Sequence, residues 1–149
     1  MEEFHGYYLE DLSVGMTAAY AKTITSADII LFAGISGDTN PVHLNQEFAS
    51  KTVFKDRIAH GFLSGSFIST VIGTKLPGPG CIYVSQTLNF KAPVKVGDTV
   101  RAQVTITEIL PEKRRVRLET ICLVGNTPVI EGEALVLVNR KSQAATNAA

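Results

Sequence analysis

The spacing of hydrophobic positions changes near the middle of the chain: the first half reads as turns and helices, and from Cys81 onward the period is two. Thr25-Ser26-Ala27-Asp28 has the spacing of a helix-capping box. Ile29, Ile30, Phe32 and Ala33 follow at helical spacing, and Gly37 marks the stop. In Asp38-Thr39-Asn40-Pro41-Val42-His43, Pro41 removes a backbone donor and disfavours a helical Asn40, so a turning loop is expected. Asn45 then caps one short helical turn over residues 45–49. A second helix is expected over Gly61–Thr74, where Phe62, Leu63, Phe67, Ile68, Val71 and Ile72 are apolar and the rest are Gly, Ser or Thr. A helix with no charged face is buried on most sides. Leu76-Pro77-Gly78-Pro79-Gly80 ends it with turn chemistry.

Four alternating runs follow. Ile82, Val84, Leu88 and Phe90 share one face of a strand, with Gln86 as the polar exception. Val100, Ala102, Val104 and Ile106 form the second run, Val116 to Val124 the third and Val129 to Val138 the fourth. Short turns at Gly97-Asp98, Pro111-Glu112-Lys113 and Gly125-Asn126 make neighbours antiparallel. The expected fold class is α+β, a curved antiparallel sheet wrapped around one apolar helix. One domain is expected over residues 1–149, with about 10–140 structured and a frayed tail over 142–149. A sheet covered on one face leaves an unpaired edge, and the small residues of the second helix permit close packing, so a homo-oligomer is expected.

Composition narrows the classes. A hydrophobic share of 45% over 149 residues suffices for a core without staples. Fourteen basic against 14 acidic residues give a net charge of zero, which argues against a nucleic-acid partner. No apolar run approaches the ~20 residues a membrane span needs. The acidic start, MEEFHGYYLEDL, has no apolar signal region, and Cys81 and Cys122 read as buried thiols in a reducing compartment. The cytoplasm is the expected location.

Asp38 and His43 lie five positions apart. Extended, that reach is roughly 17 Å; a turn at Asn40-Pro41 brings it to about 7 Å or less. Both side chains then reach one water, and a carboxylate with an imidazole there is a general acid–base pair. The plainer alternative is an aspartate capping its own turn beside an ordinary histidine. His60-Gly61 stands where the apolar helix begins. The first N–H groups of a helix lack partners and carry partial positive charge, so a carbonyl oxygen placed at Gly61 would be polarised. Alternatively Gly61 only permits packing and His60 only starts the helix. No phosphate-binding loop, dinucleotide motif or nucleophile elbow occurs. The spacing of Asp38, His43 and His60 matches no standard metal-ligand set. Lys113, Arg114, Arg115 and Arg117 form a basic run that is either a solvated strand end or a phosphate contact. Phe32, Ile35, Phe62 and Phe67 are candidates for an acyl slot or plain core.

Taken together, Asp38-x-Asn40-Pro41-x-His43, His60-Gly61, Gly80-x-Ile82-Tyr83 and Phe90-x-x-Pro93-Val94-x-x-Gly97-Asp98 resemble the (R)-specific enoyl-CoA hydratases of the MaoC-like, hot-dog-fold superfamily. The similarity covers about residues 10–140. It implies a hot-dog fold, a homodimer with its site near the subunit interface, an acyl-CoA thioester substrate and no metal or organic cofactor. It implies reversible hydration of trans-2-enoyl-CoA to (R)-3-hydroxyacyl-CoA. Asp38 and His43 carry over as the catalytic pair; which of them is base and which acid stays open, the preferred order having Asp38 take the water proton and His43 supply one to C2. The Gly61 N–H carries over as donor to the thioester oxygen, Ser69 as a supporting residue, and Asn40 and Pro41 as supports of the catalytic loop. The rivals are a 3-hydroxyacyl-carrier-protein dehydratase, a thioesterase on the same fold and a non-catalytic acyl-CoA-binding module.

Overall fold

Thr25 opens α1 (Ser26–Ser36) as a reciprocal cap. Its hydroxyl accepts from the Asp28 N–H at 3.2 Å, and the Asp28 carboxylate accepts from the Thr25 N–H at 2.9 Å. Gly37 closes the helix at φ 77°, a left-handed conformation that a Cβ would strain. The computed structural model describes residues 2–142; the expected frayed tail, beyond Ser142, lies outside the described residues.

Two short helices, α2 (Pro41–Leu44) and α3 (Gln46–Ser50), precede the long α4 (Gly61–Thr74). The expected loop around Pro41 is therefore partly a helical turn. The reason is local: proline suits the first helical position, and the Asn40 side chain caps the turn by accepting from the Val42 N–H. Helix α4 has the expected limits. Ile68, Val71 and Ile72 are fully buried, and the helix packs on four strands of one sheet.

The strands are β1 (Thr17–Thr23), β2 (Ile82–Gln86), β3 (Asn89–Phe90), β4 (Thr99–Leu110), β5 (Arg115–Val124) and β6 (Thr127–Leu137). Their order is β1-β4-β5-β6-β2, with β3 also on β6, and every pair is antiparallel. This is the expected α+β arrangement. Val100, Ala102, Val104 and Ile106 of β4 face Val116, Leu118 and Cys122 of β5 within the core under α4. Burying each such valine or leucine contributes about 1.5–3 kcal/mol. Thr120 interrupts this apolar face, and Gln86 satisfies it through a 2.8 Å hydrogen bond from Nε2. The polar exceptions of two strands are thus each other's partners.

Two features differ from the sequence expectation. First, β1 lies in the half read as turns and helices. Thr-Ala-Ala-Tyr-Ala-Lys-Thr has little polar–apolar contrast, and it becomes a strand by pairing with β4 from Thr17↔Thr105 to Thr23↔Thr99. Second, the single strand expected over Ile82–Phe90 is broken into β2 and β3. Thr87 crosses β6 so closely that a Cβ on Gly132 would lie 1.9 Å from its carbonyl oxygen. Hydrogen bonds to Glu133 hold Thr87 there, and the β2–β6 register shifts between Tyr83 and Ser85. Among the described residues no helix is long and apolar enough to cross a membrane.

Candidate active site

The loop after α1 folds on its own side chains. The Asp38 N–H donates to Ser36 Oγ at 3.1 Å, Asp38 Oδ1 accepts from the Asn40 N–H at 3.2 Å, and Asn40 Oδ1 accepts from the Val42 N–H at 3.1 Å. These short-range bonds turn the chain within five residues. Pro41 then starts α2, which sets His43 on its buried side. Arg57 pins α2 in place: Nε donates to the His43 carbonyl at 2.7 Å and Nη1 to Ser26 Oγ at 3.1 Å. Sequence reasoning missed Arg57, since nothing in its local pattern signals a contact 14 residues back.

His43 Nδ1 lies 2.8 Å from the Ile58 carbonyl oxygen. A carbonyl only accepts, so Nδ1 carries the hydrogen, and a neutral ring keeps its lone pair on Nε2. That Nε2 stands 4.0 Å from Asp38 Oδ2. The gap exceeds a direct hydrogen bond and has the width that one water oxygen would span with two ordinary ones. The His43 side chain is 11% exposed and that of Asp38 52%. Burial holds the His43 imidazolium below its usual range, and charge on His60 acts the same way; the Ile58 carbonyl and Asp38 oppose the shift.

His60 is more than the start of a helix. It is buried, and its Nε2 donates to the Asp38 carbonyl at 2.9 Å. Its ring stacks on His43 with centroids 3.8 Å apart and planes 29° from parallel. Asp38, His43 and His60 each bring a ligand atom within 4.8 Å of the others. Stacked rings, however, hold their lone pairs in near-parallel planes that do not converge on one ion, a poor fit to tetrahedral ligation.

Beside this cluster lies a cavity of about 410 Å³. Phe54, Phe62, Phe90, Val94 and Ile130 give it apolar walls; His43, Gly61, Ser64 and Lys91 also line it. As the first residue of α4, Gly61 has an N–H without an intrahelical acceptor. A Cβ on Gly61 would stand 2.5 Å from Phe90 Cε1, so glycine is what lets the wall and the helix end meet.

Of the acyl-slot candidates, Phe62 lines the cavity and the other three do not. Phe32 packs on the His60 ring at 4.9 Å, Phe67 is core, edge-on to Tyr20, and Ile35 is 84% exposed on the outer face of α1. Ser69 sits on an exposed face of α4, two turns beyond Gly61 and off the cavity lining. The basic run is remote. Arg115 pairs with Leu137, whereas cavity-lining Ile130 pairs with Cys122, seven residues along β5, a separation of roughly 23 Å. Arg117 is engaged there by Glu108 at 3.0 Å and Glu133 at 2.6 Å.

Residues 13–133 match the family profile described as "MaoC like domain". An (R)-specific enoyl-CoA hydratase of Rhodospirillum rubrum is 59% identical over 132 residues, covering 89% of this chain and 92% of that protein. A 3-hydroxybutyryl-CoA dehydratase of Methylorubrum extorquens is 51% identical over 144 residues, covering 97% and 92%. The unliganded R-hydratase structure from Pseudomonas aeruginosa superposes with a TM-score of 0.85 at 46% identity, covering 90% of this chain and 86% of that one. The sheet wrapped on α4 is thus a hot-dog fold.

Proposed function

We propose that this chain, which belongs to the MaoC-like domain family, is an (R)-specific enoyl-CoA hydratase that adds water reversibly to trans-2-enoyl-CoA. The observation that carries this reading is the 4.0 Å gap between Asp38 Oδ2 and His43 Nε2, beside a cavity that Gly61 also lines. The thioester oxygen accepts from the Gly61 N–H, which draws electron density from the double bond and makes C3 electrophilic. A water between Asp38 and His43 attacks C3. His43 Nε2 takes its proton as the new C–O bond forms, and the π electrons move to the thioester oxygen as an enolate. When the enolate collapses, C2 takes the proton from His43 Nε2. The Asp38 carboxylate accepts a hydrogen bond from the water's second hydrogen, which stays on the new C3 hydroxyl, and offsets the transient imidazolium charge. The sequence left the first acceptor open between the two and preferred Asp38; this order takes His43. The tie from Nδ1 to Ile58 supports the revised order, because it leaves Nε2 able to accept before it donates.

The assay is loss of conjugated-thioester absorbance with crotonyl-CoA, with chiral analysis of the product. An (R)-3-hydroxy product is expected. Preference for crotonyl-carrier protein would move the reading to a carrier-protein dehydratase, release of free thiol to a thioesterase, and binding without turnover to a non-catalytic module. The acid limb of kcat/KM is expected below pH 6.5, since His43 must be neutral and burial lowers its pKa. Stability follows the same sign: the contribution of neutral His43 is fully present above its unfolded pKa and is lost as pH falls through the folded one. An acid limb lying above 6.5 would exclude His43 as the first proton acceptor.

A homodimer is part of the proposal. Among the described residues strand β2 ends the sheet and pairs on one side only, and Phe62, Ile82 and Phe90 expose more than half their surface beside it and the cavity. A second copy of the chain would cover them. Ile82→Lys is expected to shift sedimentation from dimer to monomer and to reduce turnover; a wild-type monomer at micromolar concentration removes this part of the reading. Two unpaired thiols, with Cys122 pushed up to about 12 by burial, suit a reducing compartment such as the cytoplasm.

A further inference from the structure

His60 Nδ1 and Ser64 Oγ are the two buried side-chain polar atoms without a hydrogen-bond partner among the described residues. Buried polar groups are nearly always paired, so two orphans in one place call for a common explanation. His60 is the N-cap residue of α4 and Ser64 lies four positions on, in the helix's first turn. Helical side chains lean toward the N-terminus, so Ser64 leans toward His60.

The two orphans are also complementary. His60 Nε2 faces the Asp38 carbonyl and must donate, which leaves Nδ1 of a neutral ring as an acceptor. The Ser64 hydroxyl is a donor. Three other hydroxyls on α4 discharge into the helix itself: Ser66, Thr70 and Thr74 donate to the Leu63, Ser66 and Thr70 carbonyls. Ser64 makes no such bond. Ser64 is 1% exposed yet borders the cavity, so its hydroxyl is shielded from bulk solvent at the edge of the reaction space.

We propose that Ser64 and His60 are positioning residues that form a relay in the working enzyme: Ser64 Oγ–H donates to His60 Nδ1, and His60 Nε2–H donates to the Asp38 carbonyl. Rotation of Ser64 between staggered wells closes the first link. The relay fixes the His60 ring against His43 and the Asp38 backbone against His60, and so maintains the gap that holds the reacting water. In this role both residues act through Asp38 and His43 rather than on the substrate. The proposal rests on reading Asp38 and His43 as the reacting pair.

The test is a double-mutant cycle on crotonyl-CoA hydration, with imidazole nitrogen NMR on the same proteins. Ser64→Ala is expected to lower kcat about tenfold through misplacement of the pair, with KM little changed and thermal stability retained. His60→Gln lowers kcat by more, and adding Ser64→Ala to it has no further effect, because the two act as one unit. In Ser64→Ala the His60 Nδ1 resonance moves while its Nε2–H signal persists. An Nδ1 resonance unmoved by Ser64→Ala, or additive losses in the cycle, overturns the relay. An inactive wild type whose Nδ1 resonance does move on Ser64→Ala would instead overturn the hydratase reading and leave the relay standing.

Discussion

Asp38→Asn is expected to lower kcat for crotonyl-CoA hydration by ~10²–10⁴ while leaving the thermal midpoint within a few degrees of wild type. The substitution is nearly isosteric. It keeps the Oδ1 that accepts from the Asn40 N–H, and the backbone N–H that donates to Ser36 Oγ. The Asp38 carbonyl still receives His60 Nε2. What disappears is the negative charge facing His43 Nε2 across 4.0 Å. The reacting water then loses a carboxylate acceptor, and the imidazolium formed on attack loses its counter-charge. Because the charge helps most as the imidazolium develops, the loss should fall on kcat more than on KM. A variant that turns over within threefold of wild type would remove Asp38 from the chemistry.

Gly61→Ala is expected to lower kcat/KM about 10²-fold, in line with the loss of one oxyanion donor. The backbone itself tolerates the change, since Gly61 is not among the residues of positive φ. The obstacle is room: the new methyl would lie 2.5 Å from Phe90 Cε1 and 2.7 Å from Phe90 Cδ1. Either the ring swings into the cavity or the end of α4 shifts, and both displace the thioester oxygen from the N–H. Phe90→Ala in the same protein relieves the clash and should recover part of the loss. Full activity in Gly61→Ala with Phe90 intact would show that the thioester oxygen is held elsewhere.

Much of the fold was legible because its signals are local. The reciprocal cap at Thr25, the glycine stop at Gly37 and the uncharged stretch of α4 need only neighbouring residues to be read. So does the alternation of Val100, Ala102, Val104 and Ile106, each inward-facing in β4. The illegible parts depend on distant partners. Strand β1 carries little contrast of its own and exists because β4 lies beside it. The break between β2 and β3 follows from Thr87 meeting Gly132, 45 residues away.

The site divides along the same line. Sequence alone determined that an aspartate and a histidine share one proline-bent loop, and that a glycine begins an apolar helix. In the loop the Asp38 and Asn40 side chains fold back on adjacent amides to make the bend, and the start of the helix is marked by the uncharged run that follows Gly61. Tertiary structure alone decided which His43 nitrogen is bare, because that depends on the Ile58 carbonyl arriving from 15 residues away. It also made His60 the ring behind the pair and left Phe67 and Ile35 away from the cavity. Long-range contacts set proton position and pocket membership, and residue order carries no term for them until the sheet has closed around the helix.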